Sequence, residues 1–340
     1  MRRPIITALA PLALLLAACG GTTTAADLAE GDAPEKVSSQ DCADDTTTTS
    51  TGPVSLTDGF GRKVELDKPA ERVAVLEWQQ LEDVLTLCVS PVAAADTKGY
   101  SLWDTAEELP ADVADVGTRG EPNTEALYAT NPDLVIVEAY TPDDDIIKQL
   151  EKFGVPVLAT KGADGSDPVQ QMLDTFSLIA EATGREERAE IVTEQFQATL
   201  ADAKETISAA DVTTDEFVYF DGWIQGGNVS IRPFGQGSLI GELGEALGLT
   251  NAWKGEVDPA YGLGQTDIEG MSELGDATFF YTGTVDPSGD VNAELAKNPV
   301  WKQIPAVAEG RAHAFPAGIW TFGGPRSAEQ IIDAYVDLLT

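Results

Sequence analysis

The chain has 340 residues, of which 43% are hydrophobic and 7% aromatic, so it can bury the core of one large domain or of two smaller ones. Its 21 lysines and arginines stand against 57 aspartates and glutamates, which gives a net charge of -36. This charge disfavours nucleic acid as a partner and favours a neutral or cationic ligand over a strongly anionic one. The same charge is also typical of an exposed protein whose acidic surface simply keeps it soluble.

The first residues have the organisation of a secretion signal. Two arginines precede an apolar stretch over residues 5–18, which is short for a membrane-spanning helix. The stretch ends in L-A-A-C-G at 16–20, which resembles a bacterial lipobox, in which cleavage leaves a lipid-carrying cysteine at the new N-terminus. We therefore predict a signal peptide over 1–18, a lipid anchor on Cys19 and a location on the extracytoplasmic face of the cell membrane. The alternative is that Cys19 is an ordinary core cysteine.

The next segment, residues 19–53, is rich in Thr, Ala, Asp, Ser and Gly and poor in large apolar groups. Such a composition predicts a flexible linker between the anchor and the folded domain. Cys42 and Cys88 are the two other cysteines of the chain. In an oxidising compartment we expect them to form a disulfide that ties the linker to the first part of the domain, and the alternative is a pair of free thiols.

Short apolar runs alternate with helically spaced apolar residues in the following segment. Strands are predicted at 73–76, 91–95, 133–137 and 155–158. Between the first two strands, Leu81, Val84, Leu85 and Cys88 recur at the spacing of a helix face. Strands that alternate with helices favour a mainly parallel sheet covered on both faces. We assign this unit to residues 54–184 and call it the first lobe.

Two long helices follow the first lobe. Asp167 is placed to cap the first of them, with Pro168 in its opening position. The second is predicted over 185–209 and would span roughly 35 Å, enough to connect two lobes. The alternation then restarts over 210–340, the second lobe, with strands predicted at 217–220, 277–281 and 311–315. The predicted fold is therefore α/β, with two Rossmann-like lobes joined by one long helix and a ligand cleft between them.

The motifs of common enzymes and metal sites are missing from the sequence. His313 is the only histidine, so a metal centre built from several histidines is excluded, and a structural role for this residue is favoured. The sequence contains no G-x-S-x-G, H-E-x-x-H, P-loop or C-x-x-C pattern. We therefore expect a protein that is not an enzyme and has no cofactor or protein-bound metal. A hydrolase that uses only carboxylates stays open as an alternative.

Aromatic residues and arginines recur after the predicted strands and in the loops. In open α/β sheets, ligands bind at the carboxyl ends of the strands. Aromatic rings offer flat apolar walls there, and arginine offers several hydrogen-bond donors for anionic oxygens. We predict that this set binds a bulky, oxygen-rich ligand, although each aromatic residue taken singly has core packing as its alternative. The candidate ligand-binding residues are Trp78, Tyr100, Trp103, Arg119, Tyr140, Trp223, Arg232, Tyr261 and Trp320.

Three motifs resemble those of a known family. The stretch D-V-G-T-R-G-E-P-N-T-E at 115–125, followed by N-P-D-L at 131–134, is similar to the signature of binders of hydroxamate siderophores and ferric citrate. N-A-W-K-G-E at 251–256 and F-G-G-P-R-S-A at 322–328 also resemble this group. The chain is thus identified as similar to the iron-siderophore binding proteins of ABC importers, a group that also includes cobalamin and heme binders.

The resemblance implies roles for individual residues. Arg119 matches the arginine that contacts the iron-coordinating oxygens of the siderophore. Glu125 and Glu269 match the glutamates, one per lobe, that dock on arginines of the permease. For these two the alternative is an ordinary charge at a helix N-terminus. Tyr261 stands, one residue later, where the hydroxamate binders have a tryptophan, so the resemblance does not settle the type of siderophore.

The function that the resemblance implies is capture of a ferric siderophore and its delivery to the permease of an ABC importer. Iron would be held by the siderophore and not by protein side chains. We expect a monomer. Three alternatives remain at this stage: another bulky ligand such as cobalamin or heme in the same fold, a carboxylate-based cell-surface hydrolase, and a surface lipoprotein with a purely structural role.

Overall fold

The computed structural model describes residues 42–225, 228–284 and 290–340. The predicted signal peptide, the predicted lipidation site Cys19 and the linker residues before 42 lie outside the described residues. Within the described part of the chain, no helix combines the length and the apolarity that crossing a membrane requires.

The first lobe contains a five-stranded parallel sheet of order β5-β4-β3-β6-β7. Val73 and Val75 pack into one apolar core while Ala74 between them packs into another, so both faces of the sheet are covered. A small antiparallel hairpin, β1 (Val54–Thr57) and β2 (Lys63–Leu66), precedes it. The strands are β3 (Val73–Val75), β4 (Ala93–Ala94), β5 (Ala114–Asp115), β6 (Leu134–Ala139) and β7 (Val157–Lys161), and the helices are α1 (Trp78–Thr86), α2 (Thr97–Trp103), α3 (Thr124–Ala129) and α4 (Asp145–Glu151).

Two long helices connect the lobes. Helix α5 (Pro168–Thr183) begins with Asp167, whose side chain accepts a hydrogen bond from the Gln170 amide, and ends at Gly184, whose φ of 69° lies in the left-handed region. Helix α6 (Glu186–Ala209) has 24 residues and a length of about 36 Å. Its first turns contribute Ala189 to the first-lobe core, and later turns contribute Phe196 and other residues to the second-lobe core. Both long helices are therefore shared by the two cores, since α5 also contributes Met172 to the second-lobe core and Phe176 to the first-lobe core.

The second lobe also contains a mainly parallel sheet, to which one antiparallel strand is added. Its parallel strands run in the order β10-β8-β11-β12, and β9 pairs antiparallel with β8. The strands are β8 (Glu216–Gln225), β9 (Asn228–Phe234), β10 (Thr250–Asn251), β11 (Thr278–Tyr281) and β12 (Ala312–Ala314). The helices are α7 (Leu239–Ala246), α8 (Ile268–Ser272), α9 (Val291–Leu295), α10 (Pro305–Ala308) and α11 (Pro325–Leu339), with a 3-10 turn at Trp301–Gln303. The predicted fold class of two α/β lobes joined by a long helix is confirmed.

Residues 42–53 differ from the predicted flexible linker. The structure contains a disulfide between Cys42 and Cys88, with the two Cα atoms 5.3 Å apart. The Ser50 amide donates to the Gly184 carbonyl at 2.8 Å, and the Thr48 amide donates to a carboxylate oxygen of Glu187 at 2.9 Å. This segment therefore follows the surface at the junction of α5 and α6, because its backbone polar groups find partners there.

A buried carboxylate joins the lobes beside the shared helices. Glu82 of α1 is fully buried and accepts hydrogen bonds from the Gly324 amide at 2.9 Å, the Ser327 amide at 2.9 Å and the Ser327 hydroxyl at 2.7 Å. These donors lie at the N-terminus of α11, where the helix dipole also favours a negative charge. Gly323 and Gly324 allow this approach, because a Cβ on Gly323 would collide with Ser327 and the Glu82 carboxylate, and a Cβ on Gly324 would collide with the Asp83 carboxylate. First-lobe α1 and second-lobe α11 are thereby held together.

Asp83, the neighbour of Glu82, is also fully buried, and neither of its carboxylate oxygens has a hydrogen-bond partner among the described residues. Burial, and then the charge of Glu82, raise the pKa of Asp83 well above its ordinary value. Since the folded-state pKa is the higher one, the contribution of this group to stability is complete below its unfolded pKa and is lost as pH rises through the folded value.

We therefore expect Asp83→Asn to flatten the fall in stability that occurs as pH rises above the ordinary pKa of an aspartate. Each unit of difference between the folded and unfolded pKa values changes the free energy of unfolding by about 1.4 kcal/mol. Urea unfolding of the wild type and the variant at several pH values measures the difference. Asp202→Asn, at an exposed position on α6, is the matched control and should follow the wild type. Parallel curves for the wild type and Asp83→Asn would contradict the assignment.

Candidate functional site

A cavity of about 690 Å³ lies at the carboxyl ends of the first-lobe strands and is closed by residues of the second lobe. Every first-lobe strand of the main sheet ends at it or leads into a residue that lines it, as expected for an open α/β sheet. We call it the main cavity. Its lining residues are Leu76, Glu77, Gln79, Asp96, Thr118, Arg119, Gly120, Val137, Glu138, Tyr140 and Gly162 from the first lobe, and Arg232, Tyr261, Leu263, Trp320 and Phe322 from the second.

Arg119 is fixed by one carboxylate and two aromatic rings. Its Nη1 forms an ion pair with Glu77 Oε1. The guanidinium carbon lies 3.9 Å from the ring centre of Trp78 and 5.6 Å from that of Trp320. Glu77 is itself fixed, because it is the N-cap of α1 and its side chain accepts from the Trp78 amide at 2.9 Å. The side chain of Arg119 remains 33% exposed, so the guanidinium is held in place yet open to the cavity.

Arg232 is held by a carboxylate on the neighbouring strand. Asp221 of β8 and Arg232 of β9 are directly opposite each other in the antiparallel pair, so the strand register brings the side chains together. Arg232 Nε donates to Asp221 Oδ1 at 2.8 Å, and Nη2 donates to Oδ2, which gives a bidentate ion pair. Burial raises the pKa of Asp221, and the hydrogen bond and charge of Arg232 oppose that rise. The guanidinium carbon lies 5.9 Å from the ring centre of Phe322.

Glu138 and Tyr261 connect the two lobes across the main cavity. The Tyr261 hydroxyl donates to Glu138 Oε1 at 2.8 Å. Burial, and then the charge of Glu77, raise the pKa of Glu138 to about 7, while Tyr261 and Arg119 oppose the rise. Gly162 lies beside this pair, and a Cβ at that position would collide with both the Tyr261 hydroxyl and the Glu138 carboxyl group.

A second cavity has a volume of about 420 Å³ and, among the described residues, shares no lining residue with the main cavity. Asp221 lines the second cavity, while its ion-pair partner Arg232 lines the main cavity. Trp103 of the first lobe and Trp223 of the second provide its aromatic walls, and Trp223 is 42% exposed. We call it the side cavity.

The structure separates the nine predicted ligand-binding residues into three groups. Arg119, Tyr140, Arg232, Tyr261 and Trp320 line the main cavity. Trp103 and Trp223 line the side cavity instead, and their role in ligand binding stays a prediction. The prediction is wrong for Tyr100 and Trp78 as cavity walls.

Tyr100 and Trp78 belong to the first-lobe core. Tyr100 is fully buried and its hydroxyl donates to the Glu107 carbonyl at 3.0 Å, because the inner face of α2 packs on the sheet. Trp78 is 4% exposed and lies beneath Arg119, so it supports the guanidinium from behind. Its ring also contacts Trp320 of the second lobe, with the ring centres 4.8 Å apart.

The carboxylates of the main cavity were missed by the reasoning from sequence. Glu77, Asp96 and Glu138 all lie at the ends of predicted strands, which is the same signal that selected the aromatic residues. Phe322, within the last of the three motifs, completes the aromatic wall and contacts Tyr261 with ring centres 5.7 Å apart.

The two predicted docking glutamates are exposed and occupy equivalent positions in the lobes. Glu125 lies in the first turn of α3, which Asn123 caps, and Glu269 lies in the first turn of α8, which Asp267 caps. His313, on β12, is half-buried, and burial lowers its pKa. In the described ranges, no group of three or more His, Cys, Asp or Glu residues has the arrangement to hold a metal ion.

The chain is similar to known binding proteins over most of its length. Residues 73–317 match the family model described as periplasmic binding protein. The iron(3+)-hydroxamate-binding protein FhuD of Escherichia coli is 27% identical over 262 residues, covering 77% of this chain and 84% of that protein. The Fe(3+)-citrate-binding protein YfmC of Bacillus subtilis is 28% identical over 268 residues, covering 78% and 80%.

Solved structures support the same fold. The siderophore-binding protein FhuD from Vibrio cholerae, bound to Fe3+–Desferal, superposes with a TM-score of 0.67 at 25% identity, covering 79% of this chain and 97% of that one. At 19% identity, the triscatecholate siderophore-binding protein FeuA from Bacillus subtilis also gives a TM-score of 0.67 and covers 83% of this chain and 96% of its own.

The electrostatics of the main cavity predict an abnormal titration of Glu138. In a 13C NMR titration of labelled glutamate side chains, we expect one carboxyl signal with a midpoint of about 7. That signal should be absent in Glu138→Gln. Because the Tyr261 hydroxyl stabilises the ionised carboxylate, Tyr261→Phe should move the midpoint upward. A Glu138 midpoint in the ordinary range for glutamate would contradict this description of the cavity.

Proposed function

We infer that this chain, which belongs to the periplasmic binding protein family, binds a ferric siderophore outside the cell and delivers it to the permease of an ABC importer. The observation that carries the proposal is the main cavity, in which two fixed arginines and the aromatic side chains of Tyr261, Trp320 and Phe322 face one space between the lobes. A volume of about 690 Å³ is within the usual range for sites that enclose a small molecule.

The chemistry of the main cavity suits a metal that arrives already chelated. A siderophore surrounds the iron with its own oxygens, so the protein needs hydrogen-bond donors for those oxygens and apolar walls for the ligand body. Arg119 and Arg232 supply charged donors, and the aromatic rings supply the walls. A pendant arm of the ligand would extend past the Asp221–Arg232 pair into the side cavity, between Trp103 and Trp223.

Delivery requires a tether and a docking surface. We propose that Cys19 carries the lipid anchor, which keeps the protein at the extracytoplasmic face of the membrane. We further propose that the exposed Glu125 and Glu269 bind cationic side chains of the permease, one glutamate for each lobe. A protein that presents both glutamates to one permease works as a monomer, and no step of the proposal includes catalysis.

Arg119→Ala should weaken ferric-siderophore binding by about tenfold or more, because it removes charged donors from the ligand oxygens. Quenching of tryptophan fluorescence by ferric hydroxamates, catecholates and citrate provides the measurement. Lys204→Ala, at an exposed position on α6, makes the same change in net charge and should bind as the wild type does. Failure of every ferric complex to bind the wild type at micromolar concentration would refute the proposed function.

Charge reversal at both docking positions, Glu125→Arg with Glu269→Arg, should abolish siderophore-dependent iron uptake by cells while purified protein still binds the ligand. The control reverses two exposed glutamates on α6, Glu194→Arg with Glu205→Arg, and should leave uptake intact. Normal uptake in the first double variant would show that these glutamates only stabilise their helix N-termini.

A further inference from the structure

Acidic side chains outnumber basic ones around the main cavity. Among the described residues that line it, Arg119 and Arg232 carry positive charge, whereas Glu77, Asp96 and Glu138 are acidic. Asp221 adds another carboxylate through its ion pair with Arg232. Each arginine of the main cavity therefore has a carboxylate partner.

The two arginines are neutralised by carboxylates that the fold itself holds in place. Glu77 is anchored as the N-cap of α1, and Asp221 is anchored by the register of β8 with β9. The carboxylate of each ion pair therefore lies at the start of a helix or on a strand. The negative charges are therefore permanent features of the main cavity that any ligand must meet.

The neutralised arginines still have donors to offer. Arg119 uses Nη1 for Glu77, and its Nε and Nη2 make no hydrogen bond to any of the described residues. These donors can bond a polarised oxygen of a ligand while the ion pair stays intact. Because the guanidinium is already oriented by Glu77 and Trp78, little conformational freedom is lost when that bond forms.

Ferric complexes differ in the charge they would bring to this site. A ferric trihydroxamate has no net charge at its metal centre, and a protonated amine on its tail makes it positive. A ferric triscatecholate carries three negative charges, since each catecholate loses two protons. In a partly dehydrated cavity, repulsion between such an anion and nearby carboxylates is several times stronger than in water. Unfavourable charge contacts of this kind are a common source of specificity.

We propose that the main cavity selects ferric complexes of zero or positive net charge, with Glu77 and Asp221 as the residues that set this selectivity. The inference rests on the proposed function. The side cavity adds to this selectivity for cationic complexes, because Asp221 and the rings of Trp103 and Trp223 form favourable surroundings for a cationic arm of the ligand.

Isothermal titration calorimetry of the full-length protein with ferric complexes of different charge tests the proposal. The probes are Fe3+–Desferal, which carries a protonated amine, a neutral cyclic ferric trihydroxamate, and ferri-bacillibactin as the trianionic triscatecholate. We expect both hydroxamate complexes to bind at least about 100-fold more tightly than the triscatecholate. Equal affinity, or tighter binding of the triscatecholate, would overturn the proposal and leave the proposed function standing. Absence of binding by all three would instead overturn both.

Two variants test which residues are responsible. Glu77→Gln and Asp221→Asn each remove one carboxylate charge with little change in shape, so each should narrow the hydroxamate-to-catecholate affinity ratio by about tenfold. Glu205→Gln changes the net charge equally at an exposed position on α6 and should leave the ratio unchanged. If Glu77→Gln loses its α1 cap and fails to fold, Asp221→Asn carries the test. An unchanged ratio in Asp221→Asn, or an equal change in the control, would overturn the assignment.

Discussion

The structure depends on the way its two long helices, α5 and α6, are shared between two hydrophobic cores. Helix α6 gives Ala189 and Val192 to the first-lobe core and Phe196, Ala203 and Ile207 to the second. Moving one lobe against the other would therefore expose apolar surface at one end of the helix, at roughly 25 cal/mol for each Å². The buried hydrogen bonds from the start of α11 to Glu82 add a second connection between the lobes. The main cavity thus has a shape that is set before any ligand arrives.

Because the shape of the main cavity is set in advance, its charged side chains are ordered before the ligand binds. In a site that closes widely, side chains choose their partners when the ligand binds, and the ligand bears the cost of ordering them. Here Arg119 lies against Trp78 and Glu77, and Arg232 is held in a bidentate pair by Asp221. Each arginine is ordered already, and its charge is already compensated. Because each ion pair compensates the charge of its arginine, it also weakens the attraction of the site for anions. The same two ion pairs therefore orient the arginines and set the charge selectivity.

Most helices and strands could be predicted from the sequence, because they follow from the spacing of hydrophobic residues. The predicted helix over 185–209 differs by one residue from Glu186–Ala209, and the predicted first-lobe strands fall on β3, β4, β6 and β7. Antiparallel β9 was missed, although Gly226-Gly227 between two apolar runs is a typical hairpin signal. A continuous alternation of strands and helices, as predicted for the second lobe, contains no antiparallel strand such as β9.

Side-chain direction was the part that the sequence did not reveal. Tyr100 and Tyr140 both follow strands, yet Tyr100 is fully buried while Tyr140 is 75% exposed at the cavity. The difference depends on which face of a short helix or loop meets the sheet, and a window of a few residues does not define that face. The pairing of Arg232 with Asp221 likewise depends on the register of a hairpin, which fixes partners eleven residues apart.

The acidic composition predicts the sign of the proposed charge selectivity but not its source. Most of the net charge of -36 comes from residues outside the main cavity. At physiological ionic strength the field of such exposed charges decays over about 8 Å, so it contributes little inside the site. Two charges about 4 Å apart interact with about 1 kcal/mol in bulk water and with about 4 kcal/mol near a protein surface. A few carboxylates that line the cavity therefore outweigh the many on the outer surface, and exchanging surface acids for neutral residues would change solubility long before it changed which ligand is accepted.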